Sequence, residues 1–121
     1  MTTVVPTFSK IRGPAGGIDA VVTTWTALAA AGDVGQPLQR TDLADRSVQV
    51  TGTFAGATIV LEGSNDGANY FTLSSPSGAA LSFTAAGLGQ VNQPTAWVRP
   101  RVTLGSGASL TVAMTARRTL R

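Results

Sequence analysis

The chain of 121 residues contains neither cysteine nor histidine, and each absence removes a class of chemistry. Without thiols there is no disulfide, no thiolate metal site and no cysteine nucleophile. Without histidine the chain lacks the side chain that most often serves as a general base near neutral pH. The sequence also has neither a Gly-x-Ser-x-Gly motif nor a phosphate-binding glycine loop. We therefore expect no enzyme activity, no catalytic residue, no small-molecule substrate, no cofactor and no metal.

Charge is scarce as well, because Asp, Glu, Lys and Arg make up only 12% of the residues. That is about half the usual share in a soluble domain. The formal net charge is +3, and hydrophobic residues account for 43% of the chain. The surface must then consist largely of Thr, Ser, Gly, Gln and Ala, which lose little solvation when another protein covers them. This composition indicates a subunit of an assembly, and a low-charge monomer is the alternative.

Aromatic residues and long apolar runs are also few, which bears on nucleic acid and membrane partners. Arg117, Arg118 and Arg121 form a basic C-terminus that suits phosphate groups, an acidic protein partner or solvent. Nucleic-acid modules usually add exposed aromatic rings to such a stripe, and the four Phe, two Trp and one Tyr lie mostly at core-like positions. No apolar run approaches the roughly 20 residues of a membrane span. The N-terminus has no secretion-signal pattern. We expect no nucleic acid, no membrane, and synthesis in the cytoplasm.

Residues 1–20 contain two prolines and three glycines and show no sustained hydrophobic period. This pattern predicts an extended N-terminal arm. A solvated tail rarely carries bulky apolar side chains, so we expect the arm to dock on a surface. Its own sheet and a neighbouring subunit are both open as that surface. The apolar residues that would make the contact are Val4, Val5, Phe8 and Ile11.

From residue 21 onward, apolar and polar residues alternate with the period of two that β-strands show. The clearest example places Val48, Val50 and Phe54 on one face, where Gly52 indicates a bulge or a close backbone approach. Short strands every 8–12 residues or so, separated by glycine-rich turns, predict an all-β fold. We expect an antiparallel β-sandwich or jelly roll over residues 21–121. The predicted strands cover residues 21–28, 47–54, 57–63, 70–73, 80–83, 96–104 and 109–117.

An Asn-Asp-Gly turn lies between two of these strands, in the sequence LEGSNDGANYF at residues 61–71. Asn, Asp and Gly tolerate the positive φ angles of tight turns, so the segment predicts a hairpin. Glu62, Asn65, Asp66 and Asn69 also offer oxygen atoms to a calcium ion. Calcium requires about six to eight oxygens, and this spacing is not that of an EF-hand loop. We interpret the segment as a structural turn.

Trp97, Arg99 and Arg101 alternate with apolar residues and should share one face of a strand. Pro100 cannot donate a ladder hydrogen bond, so the strand should lie at a sheet edge or carry a break there. Trp and Arg are enriched in the centres of protein interfaces. We therefore predict that this face binds a protein partner. The alternative is a solvated face on which the Arg stems cover the Trp ring.

Several phrases together resemble the small virion proteins of tailed bacteriophages. These are the apolar N-terminal arm, the strand pair SVQVTGTF and ATIVLEGSNDG, its continuation NYFTL, and the closing WVRPRVTLGSGASLTVAMTARR. Among such proteins the chain is most similar to capsid decoration, or cement, proteins. The phrase GSNDGANY also resembles a hairpin of discoidin-like carbohydrate-binding domains.

The resemblance implies a virion structural protein on the capsid surface that stabilises the major capsid protein lattice. It also implies a homo-oligomer, either a dimer or a trimer. The interface residues we expect are Val4, Val5, Phe8 and Ile11 in the arm with Trp97, Arg99 and Arg101 on the strand. Two alternatives remain open. One is a tail, baseplate or connector component, and the other is a discoidin-like carbohydrate-binding module of a tail fibre.

Overall fold

The computed structural model describes residues 2–12, 18–40 and 43–118, and twelve β-strands lie within these ranges. In this part of the chain no helix is long and apolar enough to cross a membrane. The strands are β1 (Thr3–Val4), β2 (Thr7–Arg12), β3 (Ile18–Leu28), β4 (Val34–Gly35), β5 (Leu38–Gln39), β6 (Asp45–Thr53), β7 (Thr58–Ser64), β8 (Phe71–Thr72), β9 (Ser82–Phe83), β10 (Gly87–Val91), β11 (Trp97–Leu104) and β12 (Ser109–Arg117).

The strands form a sandwich of two sheets. The five-stranded sheet has the order β10-β6-β12-β3-β2 and is antiparallel throughout. The seven-stranded sheet follows the path β1-β4-β11-β7-β8, with β5 added on β11 and β9 added on β7. Its described pairs are antiparallel except for the short parallel pair β1–β4. The predicted all-β sandwich is therefore confirmed.

The core lies between the sheets and is built from every second residue of the long strands. Trp25 of β3 is completely buried, and its indole Nε1 donates a hydrogen bond of 3.0 Å to the carbonyl oxygen of Gln36. Full burial of one Val, Leu or Ile side chain contributes roughly 1.5–3 kcal/mol. The aliphatic residues around Trp25 therefore supply most of the stabilisation. They include Leu28, Val48, Val50, Ile59, Leu61, Val98, Val102, Leu110, Val112 and Met114.

Gly52 of β6 confirms the close backbone approach that the sequence predicted. Its φ is +115°, and a Cβ atom there would lie 2.2 Å from the carbonyl oxygen of Ser109. Because that oxygen belongs to the paired backbone of β12, a side chain at this position would push the two strands apart.

Of the two arrangements expected for the strand with Pro100, the sheet edge is wrong and the break in the ladder is present. Strand β11 is an interior strand, with β7 on one side and both β4 and β5 on the other. On that second side Val98 pairs with β5 and Arg101 pairs with β4, so the ladder is interrupted opposite Pro100. The missing N–H of proline coincides with this interruption, which is how an interior strand accommodates it.

The segment predicted as an arm contributes a strand to each sheet. Strand β1 pairs with β4 in one sheet, and β2 pairs with β3 in the other. Of the two docking surfaces that the sequence left open, the described part of the segment lies on its own chain. Residues 1 and 13–17 lie outside the described ranges, and β3 already begins at Ile18.

Asp33 holds the beginning of this segment. Its carboxylate accepts hydrogen bonds from the backbone N–H groups of Thr2 at 2.9 Å and of Ala29 and Ala30 at 3.1 Å. Burial raises the pKa of Asp33, but these three donors outweigh that effect, and the pKa lies below its ordinary value. The carboxylate therefore stays ionised and fixes Thr2 beside β4.

Candidate interaction surfaces

The outer face of the seven-stranded sheet carries a buried carboxylate between two arginines. Glu62 of β7 lies beside Arg99 and Arg101 of β11 because β7 and β11 are paired, with Arg99 directly opposite Glu62. The Nε of Arg99 donates to Oε1 of Glu62 at 2.7 Å, and the Nε of Arg101 donates to Oε2 at 3.0 Å. Only 3% of the Glu62 side chain is exposed, against 24% and 39% for the two arginines. The three groups leave one net positive charge at this face.

Tyr70 completes this cluster. The guanidinium carbon of Arg99 lies 3.9 Å from the centre of the Tyr70 ring, which is a cation–π contact. Burial raises the pKa of Tyr70, although the nearby charge of Arg99 opposes that shift. The phenol is therefore neutral at physiological pH, and the cluster is held by the carboxylate and the ring together.

The turn after β7 folds back over Trp97. The hairpin that the Asn-Asp-Gly sequence predicted is confirmed by the antiparallel pairing of β7 with β8. Gly67 has a φ of +78°, and a Cβ atom there would lie 3.4 Å from the Trp97 ring. Trp97 is accordingly half-buried under its own chain rather than open to solvent.

Asp66 organises this turn. Its Oδ1 accepts hydrogen bonds of 2.8 Å from the backbone N–H groups of Ala68 and Asn69 and from the hydroxyl of Ser64. The side-chain amide of Asn69 donates to Oδ2 at 2.7 Å. These bonds hold the pKa of Asp66 well below its usual range. Both oxygens are used inside the turn, which is the role of a structural Asx turn.

A groove of about 370 Å³ runs beside the turn. Its polar walls come from the turn and from Gln93, whose side chain also binds the backbone N–H and the hydroxyl of Ser74. Phe71 lies at the groove and is 72% exposed. In the described part of the chain no group of three or more Asp or Glu residues could hold a metal ion.

The outer face of the five-stranded sheet is nearly free of charge. Strands β6 and β12 show mainly Ser, Thr, Gln and Ala side chains outward, because the residues between them are buried. Among the described side chains of this face, charges occur only at one end, where Asp45 lies opposite Arg117. A shallow hollow of about 410 Å³ lies at that end. The uncharged outward residues of β6 and β12 include Ser47, Gln49, Thr51, Thr111, Ala113 and Thr115.

The structure separates the residues that the sequence grouped as an interface. Val4 packs against the core at one sheet edge, whereas Val5 is 71% exposed. Phe8 and Ile11 lie on opposite faces of β2 and are 57% and 48% exposed. Trp97, Arg99 and Arg101 do share the outer face of the other sheet, as predicted, but they are bound to their own chain. Their role in an interface stays a prediction.

Among the described residues, sequence reasoning singled out the exposed Val5 but not two equally exposed hydrophobic residues, Phe71 and Leu88. Phe71 and Leu88 are 72% and 70% exposed, and both belong to short strands with weak alternation. Glu62 was noted only as an oxygen donor in the turn. The sequence does contain a signal that Glu62 is buried and paired. It is the only glutamate of the chain, and it follows a run of apolar residues in a predicted strand.

Comparisons of this chain with known proteins give likenesses of fold alone. No protein-family model matches the sequence, and no curated protein matches it either. Among solved structures, the SPBc2 prophage-derived protein YomS aligns with a TM-score of 0.60 at 12% identity. The alignment covers 80% of this chain and 94% of YomS. The two proteins therefore share a β-sandwich fold over nearly the whole length of YomS.

Cupin proteins also align, at lower scores. A cupin 2 domain-containing protein from Halorhodospira halophila aligns at 16% identity with a TM-score of 0.46, over 95% of this chain and 67% of that one. An oxalate oxidase aligns at 11% identity with a TM-score of 0.48, over 93% of this chain and 51% of the oxidase.

These alignments correct the expectation that the chain is not an enzyme. That expectation was too broad, because solved structures that align along most of the chain include enzymes such as the oxalate oxidase. At these identities and TM-scores the likenesses assign no activity to this chain. A sandwich of this kind hosts many functions, so the fold neither makes the protein an enzyme nor excludes one.

Proposed function

We propose that the protein is a structural component of a tailed-bacteriophage virion that decorates the capsid. In this role it binds the outer surface of the major capsid protein lattice as a homo-oligomer. The observation that carries the proposal is the likeness of fold to a prophage-derived protein, which extends over 94% of that protein. The phage-like phrases of the sequence point in the same direction and are independent of the fold.

The outer face of the five-stranded sheet is the surface that suits lattice binding best. The centres of protein interfaces are depleted of charged residues. Thr111, Ala113 and Thr115 run along the middle strand of this face, with charge only at one end. Covering such a face removes water from hydroxyl and methyl groups but from almost no charges. This favours binding, because burying an unpaired charge costs a large amount of free energy.

A binding measurement with capsid shells tests this role. Purified protein is mixed with empty shells of the major capsid protein encoded in the same genome, and the shells are sedimented. We expect stoichiometric co-sedimentation, and we expect Ala113→Glu to reduce occupancy at least tenfold because the substitution would bury an unpaired charge. Ala86→Glu, at an exposed loop position, serves as the matched control. Wild-type protein that stays in the supernatant would contradict the proposal.

A second candidate function is glycan binding as part of a tail fibre. The groove beside the Asx turn favours it, because exposed Phe71 adjoins the side chains of Asn65, Asn69 and Gln93. An aromatic face next to amide groups suits the apolar faces and hydroxyl groups of a sugar. A glycan array separates the two functions. Binding that is lost in Phe71→Ala would favour the tail-fibre role, whereas a blank array favours decoration.

A further inference from the structure

Strand β2 forms an open edge of the five-stranded sheet. Among the described residues it pairs with β3 and with no other strand. Every second residue of this strand, Thr7–Arg12, therefore presents its backbone N–H and C=O groups to the open side. Such an edge is a template for another strand. The opposite edge, β10, is shorter and contains two glycines in the sequence GLGQV, which makes it the poorer template.

The side chains of β2 divide cleanly between the two faces of the sheet. Phe8 and Lys10 pair with Thr23 and Val21, which are buried, so they lie on the inner face. Ser9 pairs with Val22 and lies on the outer face, as do Thr7 and Ile11. Each face of the edge thus carries one large apolar side chain, Phe8 on the inner face and Ile11 on the outer face, beside polar or charged ones.

We propose that two copies of this chain pair antiparallel through their β2 edges, with Ser9 opposite Ser9 of the second copy. The result is a continuous ten-stranded sheet. In this register Phe8 lies opposite Lys10 of the second copy on the inner face, and Thr7 lies opposite Ile11 on the outer face. Two-fold symmetry repeats each pair, so the contact is isologous and closes as a dimer.

Charge disfavours the neighbouring register that is centred on Lys10. A shift that centres the pairing on Lys10 would put the only two lysines of the dimer directly opposite each other, which is destabilising. A shift by one residue would bring inner-face side chains opposite outer-face ones, which the pleat of a sheet forbids. With Ser9 at the centre, each Lys10 instead meets an aromatic ring. Pro6 then ends the pairing, because it has no N–H to donate.

The inner face leaves room for the second strand. A groove of about 500 Å³ lies between β2 and residues 36–40, and Phe8, Lys10 and Leu38 line it. The Phe8 and Lys10 side chains of a second copy would continue this inner face beside the groove.

The pairing also joins the outer faces of the two copies into one low-charge platform. The inference does not depend on the capsid role, since it concerns the purified protein alone.

Cysteine cross-linking tests the register, because the chain has no cysteine of its own. Paired residues in antiparallel strands have Cα atoms about 4.5–5.5 Å apart, within the range of a disulfide. We expect Ser9→Cys to form a disulfide-linked dimer under mild oxidation. Lys10→Cys should not form one, because in this register each Lys10 lies opposite Phe8 of the second copy, two positions away from the other Lys10. Ser106→Cys, in an exposed loop, measures random collision.

Sedimentation velocity on a pair of charge variants gives an independent measurement. Interfaces below about 1,200 Å² are generally weak, so we expect a monomer–dimer equilibrium at micromolar concentration. In Phe8→Glu the new carboxylate would lie opposite Lys10 of the second copy and attract it. In Phe8→Lys the new ammonium group would lie at the same place and repel it. We expect the dimer of Phe8→Glu to be roughly tenfold tighter than that of Phe8→Lys, because the pair occurs twice.

The outcomes separate clearly. Rapid cross-linking of Ser9→Cys alone, with the tenfold difference between the charge variants, supports the dimer. Equal cross-linking of Ser9→Cys and Ser106→Cys overturns it. Preferential cross-linking of Lys10→Cys overturns the register and, with it, the proposal. Loss of capsid binding in a protein that still dimerises would count against the capsid role only.

Discussion

Glu62 is a buried carboxylate whose two oxygens are each bound by a different arginine. Removing one partner of such an ion pair lowers the stability of the fold by more than the intact pair adds to it, because the remaining charges lose their hydrogen bonds. We expect Glu62→Gln to lower the free energy of unfolding by about 1–3 kcal/mol, a range set by hydrogen bonds to charged groups and by the partial exposure of the arginines. Urea denaturation measures this change.

A double-mutant cycle with Arg101→Gln provides the control for the ion pair. If Glu62 acts through the arginines, the double variant should be less destabilised than the sum of the two single variants. Additive losses would mean that Glu62 stabilises the sheet by packing and not through the ion pair.

Asp33 makes stability depend on pH in a defined window. Its pKa is lowered in the folded protein, so it contributes stability above the ordinary carboxyl pKa of about 3.9 and loses it as the pH falls through the lower folded value. Asp33→Asn should cost about 1–3 kcal/mol at neutral pH, because one amide oxygen cannot satisfy three N–H donors. The difference from wild type should shrink below about pH 4.

Thermal unfolding of Asp33→Asn across this pH range tests the prediction, with half-buried Asp45→Asn as the matched control. The control should show a much smaller loss. A difference between wild type and Asp33→Asn that stays constant down to pH 2 would show that ionisation of Asp33 is not the cause.

The N-terminal segment supplies strands β1 and β2, so its removal should destabilise both sheets. Deleting residues 1–12 would take away the contact of Val4 with the core and would turn β3 into an exposed edge. We expect the truncated chain to fold but to unfold several degrees lower and to aggregate more readily, since bare edges recruit other strands. Val5→Ala changes an exposed residue of the same segment and should leave the melting temperature unchanged. An unchanged melting temperature after the deletion would contradict the pairing of β1 and β2.

The long strands could be predicted from the sequence because one face of each is buried and the other is not. Val48 and Val50 alternate with polar residues for this reason, and the predicted and observed strands overlap there. Strand β10 has glycines where side chains would reveal an inner face, so its sequence shows no alternation. Strands β4 and β5 have two residues each, which is too short for any period.

The candidate surfaces were harder to predict than the strands. Alternation correctly placed Trp97, Arg99 and Arg101 on one face. It could not show that Glu62 lies opposite Arg99, because that contact joins residues 37 positions apart and depends on the pairing of β7 with β11. The residues of the arm showed no period because each of its strands is short and lies at a sheet edge.

At the scale of the whole molecule, the described side chains of the sandwich present one face with charges paired inside its own chain and one face with almost no charge. The uncharged face and the open β2 edge adjoin, so a dimer through β2 would double the surface offered to a lattice. Repetition of weak contacts around a closed shell then supplies avidity that a single contact lacks.

The copy number of the protein in purified virions tests the capsid role most directly. Quantitative mass spectrometry of particles from the genome that encodes this chain gives its molar ratio to the major capsid protein. A decoration protein occupies symmetry-related positions, so we predict a fixed, simple ratio to the major capsid protein. A chain that is missing from the particles, or present in only a few copies like a tail component, would contradict the proposed role.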